Sequence, residues 1–182
     1  RSGQWNELTD LMIDAAQRVE RGGADFVLIC TNTMHLMAED VEKNINIPLL
    51  HIADATAVVI KEKGISRAGL LGTKFTMERE FYKGKLARHG LEVIIPPQGH
   101  RETVHRIIYD ELCRGIIKES SKDSYRGIIE EMVIAGAEGV ILGCTEIGLL
   151  VKDGDASVPI FDTTEIHAKA AVDYALATDE WQ

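Results

Sequence analysis

Two stretches of this sequence repeat one another, and the repeat limits the folds open to the chain. Gly23-Ala24-Asp25-Phe26-Val27-Leu28-Ile29-Cys30-Thr31-Asn32-Thr33 aligns without a gap with Gly136-Ala137-Glu138-Gly139-Val140-Ile141-Leu142-Gly143-Cys144-Thr145-Glu146. A helical apolar segment precedes each copy, and a proline-started run follows each, Pro48-Leu49-Leu50-His51 and Pro159-Ile160-Phe161-Asp162. The polar residues after the apolar run match as well as the apolar ones, which generic strand–helix units do not require. Two related lobes are the simplest account. Thr31 then holds in one copy the place that Cys144 holds in the other.

The rest of the chain alternates in the same manner. Leu8, Leu11, Met12, Ala15, Ala16 and Val19 recur at helical spacing, and Gly22-Gly23 ends that helix. Strands are expected at 25–30, 48–52, 67–72, 91–95, 138–143 and 158–161. Helices are expected at 34–43, 53–63, 78–89, 102–114, 122–135 and 164–177, with a short one from Thr145 to about Leu150. The strands are apolar throughout, as strands covered on both faces must be. The fold class is therefore α/β, with parallel sheets joined by right-handed crossovers and flanked by helices.

Composition removes several functions. A formal net charge of −9 over 182 residues, without a basic run, argues against nucleic acid as a partner. The apolar stretches fall far short of the roughly 20 residues that a membrane span needs. Three cysteines without CxxC spacing indicate neither a disulfide framework nor a zinc site, and fit a reducing, cytoplasmic setting. The six histidines form no HExxH pattern. The chain starts Arg1-Ser2-Gly3, with no methionine and no signal-peptide pattern, so an N-terminal piece is expected to be missing.

Ligands in open α/β sheets bind beyond the carboxyl ends of the strands, where Thr31 and Cys144 both sit. Cys144 precedes Thr145-Glu146 at the start of the short helix, where the helix dipole is expected to lower its thiol pKa and make it a poised acid/base. A buried structural cysteine is the plainer alternative. Thr31-Asn32-Thr33, Thr145-Glu146 and Thr73 each offer hydroxyls and free backbone N–H groups, either as ordinary helix caps or as a cradle for an anion.

Three motifs, Cys30-Thr31-Asn32-Thr33-Met34-His35, Leu71-Gly72-Thr73 with Thr76-Met77, and Gly143-Cys144-Thr145-Glu146-Ile147, resemble those of the aspartate/glutamate racemase family. The resemblance runs through essentially the whole chain. It implies two pseudo-twofold lobes, no pyridoxal phosphate, no metal, a homodimer, and an acidic amino acid such as aspartate or glutamate as substrate. It implies a first lobe of residues 1–53 plus 163–182, short of its N-terminal strands, and a second of 54–162. It also implies a catalytic pair with one member per lobe, which falls on Thr31 and Cys144, although the family norm is two cysteines. Substrate contacts are implied at Asn32, Thr33, Thr73, Thr145 and Glu146, and at Arg114 for a side-chain carboxylate.

Inverting a stereocentre needs a proton acceptor on one face of the carbon and a donor on the other. A threonine hydroxyl is a far weaker acid than a thiol. Cys30 is expected to pack in the core, because neighbours on an extended strand point to opposite faces. Racemisation unequal toward the two enantiomers, a single-cysteine decarboxylase-type reaction, and binding of acidic metabolites without turnover all remain open.

Overall fold

In the computed structural model, residues 4–177 are described. The Arg1-Ser2-Gly3 start and residues 178–182 of the expected first lobe lie outside the described residues.

Helix α1 (Trp5–Arg21) ends where Gly22 bonds back to Arg18 and Gly23 takes a left-handed φ of 89°. Its aligned partner Gly136 takes φ 100°, so both copies of the repeat enter their strands through the same turn. β1 (Val27–Leu28) pairs in parallel with β2 (Leu49–Leu50), forming a two-stranded sheet. The second sheet has the order β4-β3-β5-β6, all parallel, from Glu92–Ile94, Arg67–Gly72, Gly139–Gly143 and Ile160–Asp162. The repeat extends to two pairs of hydrogen bonds. Val27 N–H donates to Pro48 O and Val140 N–H to Pro159 O, each at 2.9 Å. His51 and Asp162, aligned at the ends of the following strands, each accept a backbone N–H two residues on, from Ala53 and Thr164.

Helices α2 (Ala38–Glu42), α3 (Ile52–Glu62), α4 (Lys74–Glu78), α5 (Glu80–Arg88), α6 (Gln98–Asp110), α7 (Glu119–Ile134), α8 (Ile147–Leu150) and α9 (Thr163–Ala177) connect and cover the strands. The main core lies on the central strands, where Leu70, Leu71, Val140 and Ile141 are fully buried.

Several expected elements divide. The 34–43 helix begins as a 3-10 turn, Thr33–Met37, and is α-helical only from Ala38. The 78–89 helix is two helices, because Arg79 is extended between α4 and α5, and α4 starts earlier under a Thr73 cap. The 102–114 helix stops at Asp110, and a 3-10 turn, Leu112–Arg114, follows. The 25–30 strand contracts to two residues, because β1 pairs only with the equally short β2.

β3 and β5 approach closely at their carboxyl ends. A Cβ on Gly72 would stand 2.7 Å from Gly143 O, and one on Gly143 would stand 2.9 Å from Leu71 O. Glycine on both strands lets the backbones meet there and sets Thr73 and Cys144, the next residues, side by side.

Candidate active site

The two repeat corners open onto one cavity of about 400 Å³. Thr31, Asn32, Thr33, Thr73, Cys144, Thr145 and Glu146 form its polar lining. Trp5, Leu8, Met34, Phe75, Ile108 and Tyr109 supply its apolar wall. Arg114 is exposed in the 3-10 turn and is not among the lining residues; its neighbour Cys113 is.

Hydrogen bonds tie the corners together. Thr163 Oγ1 donates to Leu142 O at 2.8 Å, so it accepts from Asn32 Nδ2 at 3.0 Å. That chain fixes the Asn32 amide and joins the 31–33 loop to β5, two residues before Cys144. It leaves Asn32 Oδ1 buried without a partner among the described residues, an acceptor suited to a ligand N–H. Thr33 Oγ1 lies 3.0 Å from Thr73 Oγ1, which lies 3.2 Å from Thr76 Oγ1. The Thr33 and Thr73 hydroxyls thus meet at the cavity, backed by the buried Thr76 of α4.

Cys144 differs from the expectation of a lowered pKa. Its Sγ donates to Glu146 Oε2 at 3.0 Å, and Thr145 Oγ1 donates to the same oxygen at 2.8 Å. Burial pushes the thiol pKa well up, and the adjacent Glu146 carboxylate pushes it further. α8 has only four residues, too few for a dipole that outweighs desolvation. Burial alone would raise Glu146, but the hydrogen bonds from Cys144 and Thr145 prevail and hold its carboxyl below the ordinary value. The resting pair is a thiol on a carboxylate, not a standing thiolate.

Cys30 is not in the core. It is exposed and lines the cavity beside Thr31. β1 has ended by Leu28, and a chain already in a bend no longer sends neighbouring side chains to opposite faces. Cys113 is likewise exposed on this cavity, so the chain's three cysteines share it. Cys113 and the aromatic wall were not found from the sequence, since their segments carry no repeat and meet the site only through the fold.

A model of the Asp/Glu/hydantoin racemase family matches residues 1–171. The chain belongs to this family. Membership places it among the amino-acid racemases, a class of isomerase. It is similar to the broad-specificity amino-acid racemase RacX of Bacillus subtilis, with 26% identity over 175 residues, 94% of this chain and 74% of the relative. A crystal structure described as a candidate Asp/Glu racemase from Yersinia pestis superposes with a TM-score of 0.90 at 55% identity, over 96% of this chain and 76% of that one. An aspartate racemase homologue from Pyrococcus horikoshii OT3 gives 0.85 at 40% identity, over 97% and 77%. Among the described residues, no helix is long and apolar enough to cross a membrane, and no cluster of three or more metal-ligating side chains is present.

Proposed function

We propose that this protein racemises a free amino acid at its α-carbon without a cofactor, with Cys144 serving one face and Thr31 the other. The observation that carries the reading is the meeting of these two aligned residues on one cavity. The substrate ammonium lies at Asn32 Oδ1, and its α-carboxylate at the hydroxyls of Thr33 and Thr73. Cys144 passes its proton to Glu146, takes the α-proton from one face, and Thr31 delivers a proton to the other. Solvent then returns a proton to Thr31 and takes the one held by Glu146, which restores both groups. Because that hydroxyl is the weaker acid and the poorer base, inversion runs unequally in the two directions.

The lining favours an uncharged side chain over the aspartate or glutamate that the resemblance implies. Among the described residues no Lys, Arg or His lines the cavity, whereas Glu146 does, and a second carboxylate would stand there unpaired. Acidic substrates remain the second reading, supported by the paired hydroxyls of Thr33 and Thr73, which offer neutral donors to a carboxylate.

The test is to incubate the protein in heavy water with each enantiomer of alanine, serine, methionine, aspartate and glutamate, following chirality and α-deuterium. Inversion with deuterium uptake supports the reading. Absence of both for every amino acid defeats it, and faster turnover of aspartate and glutamate reverses the preference for an uncharged side chain.

A further inference from the structure

Thr31 lacks the support that holds Cys144. Cys144 follows five residues of β5, bonded to a strand on each side. Thr31 follows a two-residue strand and stands in a bend before a 3-10 turn, where no sheet bond reaches it. Its backbone carbonyl is instead held by a side chain. His35 Nδ1 lies 2.9 Å from Thr31 O, and His35 Nε2 accepts the Ile52 N–H at 3.2 Å. An N–H donor at Nε2 requires that nitrogen to carry its lone pair, so the ring proton sits on Nδ1 and donates to Thr31 O. The imidazole therefore bridges the Thr31 corner and the first turn of α3 in one defined tautomer.

We infer that His35 is a positioning residue for Thr31, setting the hydroxyl that serves the second face of the substrate carbon. The inference rests on the racemase reading above. His35 is 2% exposed, and its ring is braced by two more buried histidines, His51 at 4.3 Å and His167 at 5.9 Å between ring centroids. Each of these has its own backbone partner: His51 Nδ1 accepts from Ala53 N–H, and His167 Nε2 donates to Leu50 O at 2.7 Å. The stack thus joins β2, α3, α9 and the Thr31 turn. Burial keeps it uncharged at neutral pH, with His35 held down to about 4 and His51 to about 3. His35 does not line the cavity, so it acts through Thr31 and not on substrate.

A residue that only stabilised the fold would weaken both faces alike, whereas a residue that positions Thr31 weakens one. The experiment measures deuterium exchange in heavy water from each enantiomer of a turned-over amino acid, for wild type, His35→Leu and His35→Asn. His35→Leu removes the donor to Thr31 O, and the resulting misplacement lowers inversion and the exchange that depends on Thr31 by about tenfold to a hundredfold. Exchange at the face served by Cys144 changes little. His35→Asn keeps an N–H near the Nδ1 position and restores most of the loss. A parallel fall for both enantiomers, or no fall for either, overturns the inference.

The ring nitrogens of wild type give an independent readout through their ¹⁵N shifts. A neutral ring protonated on Nδ1 supports the inference, and one protonated on Nε2 overturns it. If His35→Leu fails to fold, the comparison of the two faces rests on His35→Asn, and a ring protonated on Nε2 still overturns the inference. The ring measurement also separates the two claims, because a wild type without exchange on any amino acid defeats the racemase reading while the tautomer still tests the hold on Thr31.

Discussion

The Thr31 and Cys144 corners descend from the same sequence pattern but are supported differently. Cys144 stands in a bend directly after a five-residue, fully buried strand, with its thiol bonded to the Glu146 carboxylate. Thr31 stands after a two-residue strand and takes its position from a histidine and from the Asn32–Thr163 hydrogen bonds. A bend that leaves a long strand paired on both sides is held by that strand, whereas a bend after a two-residue strand needs side chains from elsewhere to define it. On the proposed racemase reading, the proton chemistry is accordingly concentrated at Cys144 and the scaffolding at Thr31.

The largest effect that would test this contrast is loss of the thiol. Cys144→Ala removes the thiol that donates to Glu146, and turnover is expected to fall about 10²- to 10⁴-fold. Cys30→Ala and Cys113→Ala, at exposed thiols on the same cavity, are expected to fall far less. If Cys30→Ala proves as damaging as Cys144→Ala, the acid/base opposite Cys144 is the neighbour of Thr31 and not Thr31 itself. Next in size is Thr31→Ala. It is expected to abolish most inversion while deuterium still enters from the Cys144 face, and Thr31→Cys is expected to widen activity toward the opposite enantiomer. Chirality and mass measured on the same sample separate the two.

How far the sequence foretold these corners follows from which interactions are local. Thr31, Asn32, Thr33, Thr73, Cys144, Thr145 and Glu146 were legible because the repeat and the strand ends place them in register, and one cavity gathers them. The shift of Cys144 was not legible, since it arises from burial and from a side chain turned back onto the thiol. Nor was the position of Cys30, because the length of β1 depends on β2, a partner some twenty residues away. The histidine stack draws on residues 35, 51 and 167, which no spacing rule connects.

A third, smaller effect concerns the carboxylate at Cys144. Glu146→Gln keeps an acceptor for the thiol but removes both the negative charge and the base. Turnover is expected to drop by about tenfold to a hundredfold, within the range for one proton-transfer group. The Cys144 pKa should move down toward its ordinary value, although burial keeps part of the shift. Alkylation of Cys144 by iodoacetamide at neutral pH should therefore speed up while catalysis slows. Both rates falling together would show that Glu146 activates the thiol by drawing off its proton at rest, contrary to the thiol-on-carboxylate arrangement.

The smallest effect separates the corners by their response to acid. His35 and His51 are held well below the ordinary histidine value of 6.5, and His167 is lowered as well, in each case chiefly by burial. The unfolded chain therefore binds protons below about pH 6.5 that the folded stack refuses, and stability is present in full above that pH and lost as pH falls toward about 4. For His35 alone the loss between pH 6.5 and 5 comes to about 2 kcal/mol. The charged groups facing the stack are Lys85, which opposes protonation, and Asp54, which favours it at His51 and is itself held below its ordinary value. Burial would raise Asp54, but hydrogen bonds from His89 and Lys85 prevail, so it barely titrates above pH 5 and the histidines dominate that window. The melting temperature is expected to fall from pH 7 to 5, with a shallower slope in His35→Asn. Because His35 bonds directly to the Thr31 corner and to Ile52, the Ile52 amide should lose protection from hydrogen exchange before the Val140 amide in β5. Equal loss at both amides would mean that the two corners share one stability, and the contrast between them would fail.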